Sequence, residues 1–195
     1  MSLDLAHLDS HTRQFMLEEF EADLADGSLY CSPHLNEAGL ANYPDLLRDA
    51  VLTGTEASLA EALYTGDTVR QPIRRQHLKE LGPGEALADV TTNLAEREFH
   101  RFYIRGLCRR ALDQGVSTLV IYRARPPDPG RAPSNTMVGV RIVVSSLLED
   151  LRGTFRSLPP HGLPQCRDPG LSVRFPDDYR LREDDAQLAT PSAAR

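Results

Sequence analysis

Hydrophobic positions recur at three- and four-residue steps in five stretches of the chain and gather into β-branched, apolar runs in three others. The most complete pattern lies between Thr91 and Ala124. Asn93 is an N-cap type, and Glu96 three residues later completes a capping-box-like pair. Residues 94 to 114 contain no proline, and Ala95, Phe99, Phe102 and Gly106, with Tyr103 and Leu107 on the flank, fall on one helical face. Gly115 supplies the left-handed stop. Ser117 to Ala124 follows, with Leu119, Val120, Ile121 and Tyr122 apolar on both faces, which predicts a central strand.

Upstream, Asp9 or Ser10 caps a helix to about Asp26 that places Phe15, Phe20 and Leu24 on one flank, and Gly27 ends it. Leu40, Tyr43, Leu46, Leu47, Ala50 and Val51 give a second helical rhythm, from Asn36 to about Thr53. Pro44 sits inside it, so a break or a fresh helix start is expected near Tyr43. A third short helix carries Leu59, Ala60, Leu63 and Tyr64 and ends at Gly66. Asp67 to Pro83 has no sustained period and reads as a linker or arm.

Downstream, the four prolines in Arg125 to Ser134 demand a loop. Met137 to Val144 reads as a second strand, Ser145 or Ser146 as the cap of a short helix through Leu151, and Leu171 to Phe175 as a third strand. The second strand can pair with the first in parallel if the loop crosses over, or antiparallel if it forms a hairpin. The fold expected is α+β, with an acidic helical N-terminal annex and a central long helix packed on a small sheet. The segments are an annex at 1–66, a basic linker at 67–92, a core at 93–176 and a disordered tail at 177–195.

Charge sharpens this picture. The net charge of −6 hides an asymmetry: residues 1 to 66 hold twelve acidic groups against Arg13 and Arg48, while residues 70 to 131 hold twelve basic groups against seven acidic ones. Either the acidic region folds back over the basic one, or the basic one faces an external polyanion. The basic region contains an unusual array, because Arg97, Arg101, Arg105 and Arg109 recur at a strict four-residue spacing. On a helix they form a ridge roughly 18 Å long whose like charges repel unless paired, solvated or bound to an anion. Arg70, Arg74 and Arg75 in the linker would extend it. No aromatic residue interleaves with the ridge, so a nucleic acid bound there would be held through phosphates without sequence preference. With a single lysine, Lys79, among 22 basic residues, arginine usage tracks a GC-rich genome and says little about guanidinium geometry.

Candidate chemistry is sparse. Cys31 and His34, with His161 and Cys166, have zinc-ligand types in two half-sites, but such pairs arise readily by accident and no metal is assigned. Cys108 would need a base, and His100 lies two helical turns away along the same helix; a core cysteine is the ordinary reading. No nucleophile elbow, zincin, phosphate-loop or dinucleotide motif occurs, and neither a catalytic residue nor a cofactor is expected. No apolar run approaches a membrane span, the first residues carry no signal-peptide pattern, and three cysteines cannot all pair, so a reduced, cytoplasmic protein, or one inside a cytoplasmically assembled particle, is expected.

At RFYIRGLCRRA (Arg101 to Ala111), VIYRAR (Val120 to Arg125) and GLSVRF (Gly170 to Phe175), the chain resembles uncharacterised proteins of GC-rich bacteria and their phages. That resemblance carries no activity with it and implies an accessory or structural role. The expected function is a non-enzymatic interaction subunit, of a phage-type or other oligomeric assembly, with a protein partner or self-association. The rivals are a sequence-independent nucleic-acid-binding module and an enzyme with an unrecognised site.

Overall fold

The computed structural model describes residues 2–70, 83–126, 137–153 and 170–179. Its elements are α1 (Ser10–Ala25), α2 (Glu37–Leu52), α3 (Glu56–Thr65), α4 (Pro83–Asp113), β1 (Thr118–Arg123), β2 (Arg141–Val143), α5 (Val144–Gly153) and β3 (Leu171–Arg174). The fold is α+β, with the long helix α4 packed against a small antiparallel sheet. Two compact units can be distinguished. One joins Met1–Glu19 to Tyr103–Arg195, and the other is Phe20–Phe102. These units divide the chain differently from the expected segments 1–66, 67–92 and 93–176, because α1 and α4 each contribute to both.

In the first unit β1 lies between β2 and β3 and is antiparallel to both, so the loop before β2 makes a hairpin and not a crossover. Leu119 and Ile121 of β1 point to one face with Ile142 and Val173, and all four are buried. The C-terminal half of α4 covers that face: Tyr103, Leu107 and Ala111 are fully buried, and the Tyr103 hydroxyl reaches the Val173 carbonyl at 3.5 Å. Gly115 adopts φ +74°, the left-handed stop the sequence predicts, and lets the chain turn from α4 into β1. β2 is shorter than the expected Met137 to Val144, because Gly139 takes φ +86° and bends the approach to the strand.

Two helix boundaries differ from the sequence reading, each for a local reason. α4 begins at Pro83, ten residues before Asn93. Proline is pre-organised for a first helical turn, where its missing N–H is not needed. Asn93 is interior to the helix, and its side-chain amide donates to the Asp89 carbonyl one turn back at 2.7 Å. In the second unit α2 runs through Pro44 without the expected break near Tyr43. The carbonyl that proline leaves without a donor belongs to Leu40, which is 45% exposed and can be hydrated. Tyr43, Leu47, Ala50 and Val51 form an unbroken buried face that spans the proline. Asn36 caps α2 by accepting from Gly39 N–H at 2.8 Å, and Thr55 and Ser58 form a reciprocal capping box on α3.

Within the first unit α1 crosses α4 at Gly106. A β-carbon there would lie 2.6 Å from Met16 Cγ, 2.8 Å from the Met16 main-chain nitrogen and 3.0 Å from the Thr12 carbonyl oxygen. Glycine is used here for close approach and not for an unusual dihedral. Gly106→Ala should therefore force the helices apart and lower stability by about 1–3 kcal/mol, against the small gain in helix propensity that alanine brings. Chemical denaturation checks this; an unchanged or raised midpoint would show that the crossing has room for a methyl group.

Candidate functional site

Arg97, Arg101, Arg105 and Arg109 do lie on one helix, and the last three meet acidic partners. Arg105 is 1% exposed. Its Nε donates to Glu19 Oε2 at 2.9 Å, a second guanidinium nitrogen approaches the same oxygen at 2.8 Å, and it also reaches the Glu19 main-chain carbonyl at 3.4 Å. Arg109, one turn on, donates to Glu19 Oε1 at 3.0 Å and to Glu18 Oε2 at 3.4 Å, while its guanidinium lies 5.8 Å from the Phe15 ring centroid. Arg152, in the last turn of α5, closes the set: its Nε donates to Glu19 Oε2 at 3.0 Å and its terminal nitrogen to Oε1. One carboxylate, itself 1% exposed, is thus held by three guanidinium groups from two helices.

Burial alone would raise the Glu19 carboxyl. The hydrogen bonds and charges of Arg152 and Arg105 overcome that and hold it at about 2, against an ordinary value of 4.5. A group ionised so far below neutrality is no proton donor or acceptor in ordinary conditions. Its role is to neutralise buried guanidinium, most of all Arg105, which would otherwise be stranded away from water.

A second buried arginine closes the neighbouring turn. Arg110 is 0% exposed, and one of its terminal nitrogens lies 2.7 and 2.9 Å from the two Asp9 oxygens and 3.0 Å from Thr12 Oγ1. Asp9 also caps α1 by accepting from Thr12 N–H at 2.9 Å, as the sequence predicts. Across the guanidinium, the Phe175 ring centroid lies 5.5 Å from its central carbon. Both Asp9 and Glu19 draw α1 onto α4 through arginine.

The remaining members of the expected arginine set lie elsewhere. In the second unit Arg101 is 7% exposed and pairs with the buried Glu98 at 3.8 Å, while Arg97 is exposed. Tyr43 lies fully buried in the same unit, and burial followed by the nearby Glu98 charge pushes its hydroxyl well above its usual range. Arg70 is exposed, and Arg74 and Arg75 fall outside the described residues.

The thiol and metal candidates resolve less. Cys108 is fully buried, and burial, with Glu19 nearby, pushes its thiol far up, away from the reactive thiolate. His100 is buried in the second unit. Cys31 is exposed and His34 half-buried, His161 and Cys166 lie outside the described residues, and among the described residues no group of three or more His, Cys, Asp or Glu side chains could hold a metal. Among the described residues no helix is long and apolar enough to cross a membrane.

Comparison with protein families, curated proteins and solved structures finds no match. The site therefore has to be read from its own geometry.

Sequence reasoning found Arg105 and Arg109 but missed Glu19 and Arg152. Glu19 sits in an acidic run with Glu18 and Glu21, and nothing in their spacing separates the buried carboxylate from the solvated ones. Arg152 stands alone in a helix marked only by its leucines.

The depressed Glu19 carboxyl sets a pH dependence. Its folded value lies below its unfolded value, so its contribution is complete above about pH 4.5 and is lost as pH falls from there toward about 2. Unfolding free energy measured through that window should fall, and Glu19→Gln should flatten the fall attributable to this group. An equal acid slope in the variant would place the titrating group elsewhere.

Proposed function

We propose that this protein is a non-catalytic interaction subunit that associates with copies of itself, as a component of a phage-type or other oligomeric assembly. The observation that carries this reading is the edge of the sheet. Val138, Val140 and Val143 are 43%, 45% and 51% exposed, and they lie along one short stretch at β2. β2 is an outer strand among the described residues. Val144 N–H donates to the Ser117 carbonyl and Ile121 N–H to the Val140 carbonyl, so antiparallel alternation turns the main-chain groups of Arg141 and Val143 away from β1. An edge that no described strand covers, lined with valine, is a template for another strand.

Two further points favour this reading over its rivals. Three arginines of the ridge are engaged internally: Arg105 and Arg109 with Glu19, Arg101 with Glu98. A duplex would have to displace those carboxylates, including one that is fully buried. An enzymatic reading would need a base or nucleophile tuned near neutrality, and the Glu19 carboxylate and the Cys108 thiol are both shifted away from it.

The contact proposed here is apolar, so it should persist in salt that screens surface charge. Light scattering of the full chain across protein and salt concentration should show self-association that high salt does not abolish. Val143→Lys, which places a charge on the edge, should shift the population to monomer with helical content unchanged. A monomer at every accessible concentration, or association lost in salt and indifferent to Val143→Lys, would overturn the reading.

A further inference from the structure

The first residues are folded against the sheet by polar contacts that the sequence does not announce. Asp4 N–H donates to the Ala124 carbonyl at 2.8 Å, Ala6 N–H to the Tyr122 hydroxyl at 3.0 Å, and that hydroxyl donates in turn to the Asp4 carbonyl at 2.6 Å. Leu3 is buried. The segment ends at His7, whose main-chain N–H lies 3.4 Å from the Tyr103 hydroxyl and whose ring meets Phe175 edge-on at 5.1 Å between centroids. The decisive contact is that Phe175 N–H donates to His7 Nε2 at 3.3 Å.

An imidazole nitrogen that accepts a hydrogen bond must be unprotonated, so this contact fixes His7 in its neutral form with the proton on Nδ1. Adding a proton to Nε2 would set an N–H donor against a backbone N–H donor. It would also place a positive charge beside two others, Arg110 of α4, stacked on Phe175, and Arg174 of β3, which is paired with Asp177 at 2.8 Å. Asp9 at the head of α1 is the acidic group facing the ring, and it is already committed to Arg110. Tyr103 of α4 and Tyr179 beyond β3, the latter stacked on Phe175 and donating to Gln114 at 2.8 Å, complete the surroundings with neutral groups.

We infer that His7 is an acid-sensitive latch that holds residues 2–8 on the end of β3 and releases them on protonation. The balance of surrounding groups agrees: burial first, then Arg110, lowers the His7 proton affinity below the usual 6.5, Asp9 opposes, and Arg174 lowers it further. With the latched value below the released one, the latch is at full strength above about pH 6.5 and weakens as pH falls below it.

The test uses the full chain. Hydrogen exchange at the Asp4 and Ala6 amides, corrected for the intrinsic pH dependence of exchange, is compared at about pH 7.5 and about pH 5, and the His7 ring is titrated by NMR. The expected result is a His7 midpoint below 6.5, with protection falling by up to roughly tenfold for every pH unit that separates the latched midpoint from the released one. His7→Gln, whose side-chain carbonyl can accept from Phe175 N–H but cannot titrate, should abolish the pH dependence. If that variant is unprotected at both pH values, the wild-type titration and exchange decide alone. Protection unchanged on acidification, a midpoint at or above 6.5, or equal acid loss in a latched His7→Gln protein would overturn the inference.

Discussion

A carboxylate and a guanidinium buried in the same place impose an unusually strict condition, since each is tolerable only while the other is present. Glu19 and Arg105 are both 1% exposed and in contact, so neither can reach water as an alternative. The first unit is arranged to meet that condition. α4 carries Arg105 on one turn and Arg109 and Arg110 on the next, α1 crosses it closely enough at Gly106 to bring Glu19 within hydrogen-bond reach, and α5 ends where Arg152 completes the carboxylate. Arg109 and Arg152 reach it from the solvent side, each partly exposed, so their share is smaller than that of Arg105.

The same condition explains why Arg105, in the middle of the arginine ridge, is buried. A helix with four arginines at four-residue steps invites a polyanion reading, because spacing alone says which residues share a face and nothing about what covers it. Here the covering element is a helix whose acidic residues look, in sequence, like an ordinary solvated face. Among Glu18, Glu19 and Glu21 the middle one turns inward, while Glu21 pairs in the second unit with Arg48 at 2.7 Å. Three glutamates within four positions therefore have three fates: α4 meets Glu18 and Glu19, and α2 meets Glu21.

Most of the architecture was legible because the local signals agreed with one another. Asp9, Gly27, Gly115 and the apolar runs of β1 and β3 each marked an element that formed close to where they placed it. The failures came where a residue's chemistry has two uses. Pro83 closes the stretch read as a linker and Pro44 was read as a break, yet one opens α4 and the other is accommodated beside the exposed Leu40; Asn93 has the chemistry of a cap and instead donates back along its own helix. The site was less legible than the fold. Arg105 and Arg109 stood out through periodicity, whereas Glu19, Arg152 and His7 are defined by long-range contacts that no spacing encodes.

The most direct measurement is a double-mutant cycle on Glu19→Gln and Arg105→Met, with unfolding free energies of the wild type, the two single variants and the pair. Either single change should be costly, about 3–5 kcal/mol, because each strands a buried polar or charged group. The double variant should lose much less than the sum, with a coupling of about 2 kcal/mol or more. Effects that add to within about 0.5 kcal/mol would mean the two side chains do not depend on each other, and would contradict the claim that this pair organises the first unit.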